Sequence, residues 1–122
     1  MWTIEEANTA LERVRDQIVQ ARALLMVERH EARGGGQGGG TSDYPNIAVA
    51  TERLRTIACT LGREGILVRD FEAGIIDFAS RTTDGDPVLL CWQVDESFVG
   101  HWHGPESGFA SREPLPIPEQ AS

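Results

Sequence analysis

The 122-residue chain has no lysine, and all 11 of its basic residues are arginine. P-loop nucleotide hydrolases, protein kinases and Schiff-base enzymes each need a lysine ammonium at a fixed position, so these classes are excluded. The run "GGGQGGG", residues 34–40, is not a phosphate-binding loop, because no Gly-Lys-Ser/Thr follows it. We expect this run to be a flexible linker.

Positive charge is scarce in the chain as a whole, since 11 basic residues stand against 19 acidic ones and the formal net charge is −8. This excess repels a phosphate backbone, whose binding depends on clustered Lys and Arg, so we expect no nucleic-acid partner. No run approaches the roughly 18 apolar residues of a membrane span, and "MWTIEEANTA" is acidic where a signal peptide is basic. With only two cysteines, the chain is expected to be a cytoplasmic protein with free thiols. We expect no membrane partner, and the length predicts a single domain over residues 1–122.

Two amphipathic helices are predicted in the first half of the chain. Thr3 and Glu6 have the spacing of a capping box at a helix start. Apolar residues then recur at spacings of three and four, at Ile4, Ala7, Leu11, Val14, Ile18, Ala21 and Leu25, and again at Ile47, Ala50, Leu54, Ile57 and Leu61. The pattern predicts helices over about residues 3–31 and 45–61, joined by a glycine linker over residues 34–42 into an antiparallel hairpin.

The hydrophobic period changes to two over about residues 66–103, which predicts an antiparallel β-sheet. In "PVLLCWQV", one uninterrupted apolar set alternates with Leu89, Cys91 and Gln93; it comprises Val88, Leu90, Trp92 and Val94. This set is predicted to face the helices, which gives an α+β fold with a long antiparallel helical hairpin packed on one face of a small antiparallel β-sheet. Residues 104–122, which end in the proline-rich "PLPIPEQAS", are expected to form an extended C-terminal arm.

The stretch "LCWQVDESFVGHWHG", residues 90–104, joins the last two predicted strands. For Phe98 and Trp102 to share the face of Trp92, the loop between the strands must have an odd length. The simplest such loop is Asp95–Ser97. The hydrophobic pattern therefore predicts the parity of the register.

This parity brings chemically active side chains together on the outer face of the sheet, the face away from the helices. Cys91 lies opposite His101, and Leu89 lies opposite His103. Asp77 of the preceding strand alternates onto the same face, opposite Cys91 or Leu89. The sequence thus predicts a group made of Asp77, Cys91, His101 and His103.

Three functions are compatible with this group. The first is a metal site, since a thiolate, two imidazoles and a carboxylate are suitable donors for tetrahedral zinc, although the second Cys or His pair of a structural site is missing. The second is a thiol enzyme with Cys91 as nucleophile, His103 as base and Asp77 to orient the base. Neither pattern has the specificity of a catalytic or cofactor signature.

The third and favoured hypothesis is a non-catalytic interaction module, either a homodimer or a binder of a protein partner. On this hypothesis the outer sheet face, including Leu89 and Val99, packs under the C-terminal segment or another subunit. Arg112 and Glu106 would then pair with Asp77 and His103 in a polar network. No resident cofactor is expected, and zinc is the alternative.

Four short motifs, "GIIDF", "LCW", "WH" and "GFASREPL", follow the helical pair in this order. Together they resemble the prokaryotic family known as domain of unknown function 2203, over Trp2 to Leu115. The resemblance implies that Asp77, Cys91 and His103 match family positions, whereas His101 stands at an aromatic position. Two more departures are Ala79, where a proline is usual, and Ser111, where a glycine is usual. The family carries no activity that could be transferred to this chain.

Overall fold

A computed structural model describes residues 1–34 and 43–117, with the side chains of all of these except 28, 30–34 and 43–47. The linker predicted over residues 34–42 therefore lies outside the described residues apart from its first position. The elements in chain order are α1 (Ile4–Gly34), α2 (Asp43–Arg63), β1 (Ile66–Asp70), β2 (Ile75–Arg81), β3 (Pro87–Gln93), β4 (His101–His103), a 3₁₀ turn (Phe109–Ser111) and β5 (Glu113–Pro114). The predicted α+β fold class is confirmed.

The two helices run antiparallel, because the start of α1 lies beside the end of α2. The capping box forms as predicted: the Thr3 amide donates to Glu6 Oε1 and the Glu6 amide to Thr3 Oγ1, both at 3.0 Å. Just before it, Trp2 Nε1 donates to the Glu64 carbonyl at 2.7 Å. Arg13 of α1 also forms a salt bridge with Glu64 at 2.9 Å.

The hydrophobic core lies between the helices and the inner face of the sheet. The helical stripes contribute Ala7, Leu11, Val14, Ile18 and Leu61, and the sheet contributes Ile66, Ile76, Phe78, Leu90 and Trp92. Trp92 is fully buried, as the alternation of "PVLLCWQV" predicts. Its face of the sheet is therefore the one that packs on the helical hairpin.

The sheet has five strands in the order β1-β2-β3-β4-β5, and each pair of neighbours is antiparallel. Asp77 pairs with Cys91, Cys91 with His101, and Leu89 with His103. The predicted register is confirmed at every one of these pairs. A β-bulge interrupts β1 between Val68 and Asp70.

The loop between β3 and β4 is longer than predicted and corrects two side-chain assignments. It covers residues 94–100 instead of Asp95–Ser97, but its length is still odd, so the parity is preserved. Val99 was expected on the outer face but belongs to the core, whereas Phe98 was expected in the core but is 64% exposed. The reason is Asn8 of α1, whose side chain bonds both the amide and the carbonyl of Val99, at 2.7 and 3.4 Å, and so draws the chain off the sheet.

The segment predicted as an extended arm is partly built into the fold. Glu113–Pro114 forms the edge strand β5 against β4, at a position where the missing N–H of proline is tolerated. The Leu115 amide then donates to the Gly100 carbonyl at 2.9 Å, and Leu115 and Ile117 pack against the core. The last five residues lie outside the described part of the chain.

Among the described residues, no helix is both long and apolar enough to cross a membrane.

Candidate functional site

Three of the four predicted site residues meet on the outer face of the sheet, where β2, β3 and β4 supply Asp77, Cys91 and His103. Their carboxylate oxygen, Sγ and ring nitrogen all lie within 4.8 Å of one another. The three residues are 1%, 0% and 3% exposed, respectively, although they point away from the helices. We refer to these three residues as the Asp-Cys-His cluster.

The imidazole of His103 is fixed at both ring nitrogens. Nε2 lies 3.1 Å from each carboxylate oxygen of Asp77, and Nδ1 lies 2.8 Å from the Gly104 carbonyl oxygen. The Gly104 carbonyl oxygen can only accept, so Nδ1 donates to it, and a further proton lies between Nε2 and the Asp77 carboxyl. The imidazole and the Asp77 carboxyl are thus hydrogen-bonded to each other in a buried position.

Asp77 has a second cationic partner, Arg69, which was not identified from the sequence. Arg69 Nε donates to Asp77 Oδ2 at 2.8 Å, and the Arg69 side chain is 47% exposed. Leu67 pairs with Asp77 across β1 and β2. In the sequence, a period of two puts Arg69 on the face of Leu67, so the motif "ILVRD" contained a signal for this contact, but the β-bulge between Val68 and Asp70 falls at Arg69 and interrupts that alternation in the structure.

The C-terminal segment covers Cys91 through Arg112. Arg112 Nη1 lies 3.9 Å from Cys91 Sγ and donates to Glu96 Oε1 at 3.0 Å, while Nη2 donates to the other carboxylate oxygen of Glu96. The guanidinium carbon lies 4.1 Å from the centre of the Phe109 ring. Glu96, in the loop before β4, thus connects Arg112 to the sheet.

Electrostatics keep the thiol of Cys91 protonated near neutral pH. Burial raises the pKa of Cys91 to about 12, and the neighbouring Asp77 carboxylate acts in the same direction, against the smaller opposite effect of Arg112. Burial also acts to raise the pKa of Glu96, yet the hydrogen bond from Arg112 leads a set of interactions that bring it below its usual value. A charged Arg112–Glu96 pair therefore covers the neutral thiol of Cys91.

A comparison with known protein families identifies the family of this chain. A family model described as "Uncharacterized conserved protein (DUF2203)" matches residues 1–115. The chain belongs to the DUF2203 family. No curated protein and no solved structure matches the chain. The resemblance inferred from the four motifs is thus confirmed, and membership brings no known function with it.

His101, the fourth predicted site residue, stays outside the cluster of this DUF2203 protein. It lies opposite Cys91 in the register, but its Nδ1 is 3.8 Å from Glu96 Oε2. The Arg112–Glu96 pair occupies the position next to Cys91 that His101 was expected to fill. Its side chain is 34% exposed, and His101 is not among the residues whose donor atoms lie within 4.8 Å of one another.

The polar network predicted for the C-terminal segment forms with different partners. Arg112 was expected to pair with Asp77 but instead contacts Glu96 and Cys91. Glu106 is exposed and is not among the described hydrogen-bonding partners of Asp77 or His103. The segment was expected to cover the outer sheet face, and Arg112 does cover this face at Cys91.

The chemistry open to this DUF2203 site follows from these contacts. Thiol catalysis is disfavoured, because a nucleophilic cysteine needs a thiolate and access to its substrate, whereas Cys91 is neutral and fully buried. The oxygen, nitrogen and sulfur donors of Asp77, His103 and Cys91 could hold a metal ion. The polar side-chain atoms of Asp77 and His103 are all hydrogen-bonded within the chain.

Proposed function

We propose that this protein is a small cytoplasmic interaction module that acts by binding protein, without catalysis, and that its partner is a second copy of the same chain. The observation that carries the proposal is Phe98, a large apolar side chain that is 64% exposed at the tip of the loop between β3 and β4. A single exposed apolar residue is ordinary on a protein surface. Two further features support Phe98 as an interface residue: the hydrogen bonds that hold its loop and an apolar cleft on the same chain.

The loop of Phe98 is held firmly by the rest of the molecule. Asn8 bonds both backbone groups of Val99, and Arg15 Nη2 donates to the Glu96 carbonyl at 3.0 Å. Trp92 Nε1 donates to the same carbonyl, also at 3.0 Å. An aromatic side chain on a preorganised loop loses little conformational entropy on binding, which is typical of residues that dominate interfaces.

An apolar cleft of about 370 Å³ lies where the start of α1, the end of β2, β3 and the C-terminal segment meet. Its apolar lining includes Met1, Ile4, Leu90, Pro116 and Ile117. Two hydrogen-bonded connections link its surroundings to the loop of Phe98: Leu115 bonds Gly100 of the loop, and the side chain of Asn8, which bonds Val99, also bonds the Ile4 carbonyl. Met1 and Ile4 are 64% and 37% exposed, so the cleft presents apolar surface to a partner.

A second copy of the chain is the partner that fits these features, because one chain carries both an exposed aromatic ring and an exposed apolar cleft. In an isologous dimer the same surface meets itself, so each Phe98 can enter the cleft of the other copy. The charges beside the two features are also opposite, with exposed Asp95 in the loop and exposed Arg81 in the cleft lining. Each charge would therefore face its complement across the dimer.

A cytoplasmic location is supported by the cysteines. Cys59 is exposed and Cys91 is buried, and both are free thiols. Free thiols of this kind are typical of proteins in reducing compartments.

The test compares Phe98→Ser with a matched control, Met26→Ser, which removes another apolar side chain that is 71% exposed, on α1. Light scattering over a micromolar concentration series should give a dimer for the unmodified protein and for Met26→Ser, and a monomer for Phe98→Ser. At a concentration low enough to keep all three proteins monomeric, their melting temperatures should be similar, because neither side chain is buried. An unmodified protein that stays monomeric, or equal loss of the dimer in both variants, would contradict the proposal; the first result would leave a different protein as the partner.

A further inference from the structure

The Asp-Cys-His cluster brings together three side chains that can each donate one atom to a metal ion. His103 Nε2 points between the two oxygens of Asp77, and Cys91 Sγ lies within 4.8 Å of both groups. The other ring nitrogen, Nδ1, is directed at the Gly104 carbonyl at 2.8 Å. A backbone carbonyl on the far nitrogen is the usual means by which proteins orient a metal-binding histidine.

We propose that Asp77, Cys91 and His103 form a three-donor Zn²⁺ site. A thiolate and an imidazole select zinc over magnesium and calcium, which prefer oxygen donors alone. Three protein donors leave the fourth tetrahedral position to a water molecule. The inference does not rest on the proposed dimer, whose Phe98 and cleft involve none of these residues.

The exchange of protons for zinc balances in charge. Before zinc binds, one proton is on Cys91 Sγ and one lies between His103 Nε2 and the Asp77 carboxyl, and both leave to solvent when these atoms become ligands. One divalent cation replaces two protons, so the net charge of the buried cluster does not change. The S–H and N–H bonds break heterolytically, the electron pairs form the bonds to zinc, and no oxidant or reductant is involved.

The two nearby guanidinium groups are compatible with a bound cation. Arg112 is neutralised by Glu96 through two hydrogen bonds. Arg69 bonds only Oδ2 of Asp77 and leaves Oδ1 for the metal, and its half-exposed charge is screened by solvent. Arg69 therefore takes the supporting position that orients a carboxylate ligand.

The test is a zinc titration of untagged, chelator-treated protein in competition with a chromophoric zinc chelator. We expect one zinc per chain for the unmodified protein. Two controls should bind equally well: Cys59→Ser, which removes the exposed thiol, and His101→Ala, which removes the imidazole outside the cluster. Cys91→Ser and His103→Ala should each lower the affinity by roughly a hundredfold or more, since each removes a direct ligand.

Cobalt substitution provides a second readout that reports the thiolate itself. Co²⁺ added to the unmodified protein should give a thiolate-to-cobalt charge-transfer band, which Cys59→Ser keeps and Cys91→Ser loses. Absence of stoichiometric zinc from the folded unmodified protein would overturn the proposal whether or not any variant folds. Binding that survives in Cys91→Ser, or that is lost in His101→Ala as in His103→Ala, would overturn it too. The oligomeric state of the metal-free protein tests the proposed dimer separately.

Discussion

At the scale of single residues, the chemistry of this protein is decided by the surroundings of Cys91. The alternation of polar and apolar residues was sufficient to place Cys91 on one face with Asp77 and His103. It could not show that His101 stays apart, because that depends on Glu96, a loop residue that holds Arg112 over the thiol. A pattern with a period of two identifies the sheet face on which a side chain lies, but it does not identify which loop residue contacts that side chain.

The protonated state of Cys91 predicts its reactivity. Alkylation with iodoacetamide at neutral pH should modify the exposed Cys59 and leave Cys91 unmodified as long as the protein is folded, because the reacting species is the thiolate and burial raises the pKa of Cys91 to about 12. Mass spectrometry of the intact and digested protein measures both sites, and a sample unfolded in urea shows that Cys91 can be labelled. Alkylation of native Cys91 faster than that of Cys59 would instead support the thiol-enzyme hypothesis.

At the scale of elements, the helices and the strand register were predictable because they repeat. The helical stripes recur every three or four residues, and one face of each central strand is apolar at every second position, as at Leu90 and Trp92. The loop before β4 was not predictable, since Val99 is turned inward by Asn8, a residue 91 positions earlier in the chain. Edge strand β5 was missed for a related reason: its two residues carry no periodic signal, and the pairing depends on where β4 ends.

The assignment of sheet faces predicts unequal costs for two neighbouring residues of β3. Trp92→Ala should lower the free energy of unfolding by about 3 to 5 kcal/mol, because it empties a fully buried site in the core. Gln93→Ala should change it by no more than about 0.5 kcal/mol, since its side chain is only partly buried and its one bond, to the Ala73 carbonyl, is long at 3.4 Å. Urea unfolding monitored by circular dichroism compares the two variants, and equal losses of stability would show that the faces are assigned wrongly.

At the scale of the whole molecule, the outer sheet face is closed by the chain itself. Leu89 on that face, which was expected to need a cover, is 8% exposed, and the Asp-Cys-His cluster is buried. The proposed interface therefore lies elsewhere and is formed by Phe98 and the apolar cleft. Two copies that meet there each carry a net charge of −8, so general repulsion acts against the apolar contact.

Sedimentation equilibrium of the unmodified protein at low and high salt tests the proposed self-association most directly. Salt screens the repulsion between two acidic chains but does not weaken apolar burial, so association should strengthen as salt is added. We predict that the mass rises with concentration from that of the 13.4 kDa chain towards twice this value, and that the rise begins at a lower concentration in high salt. A mass of 13.4 kDa at every concentration and salt, or a dimer that dissociates as salt is added, would contradict the account.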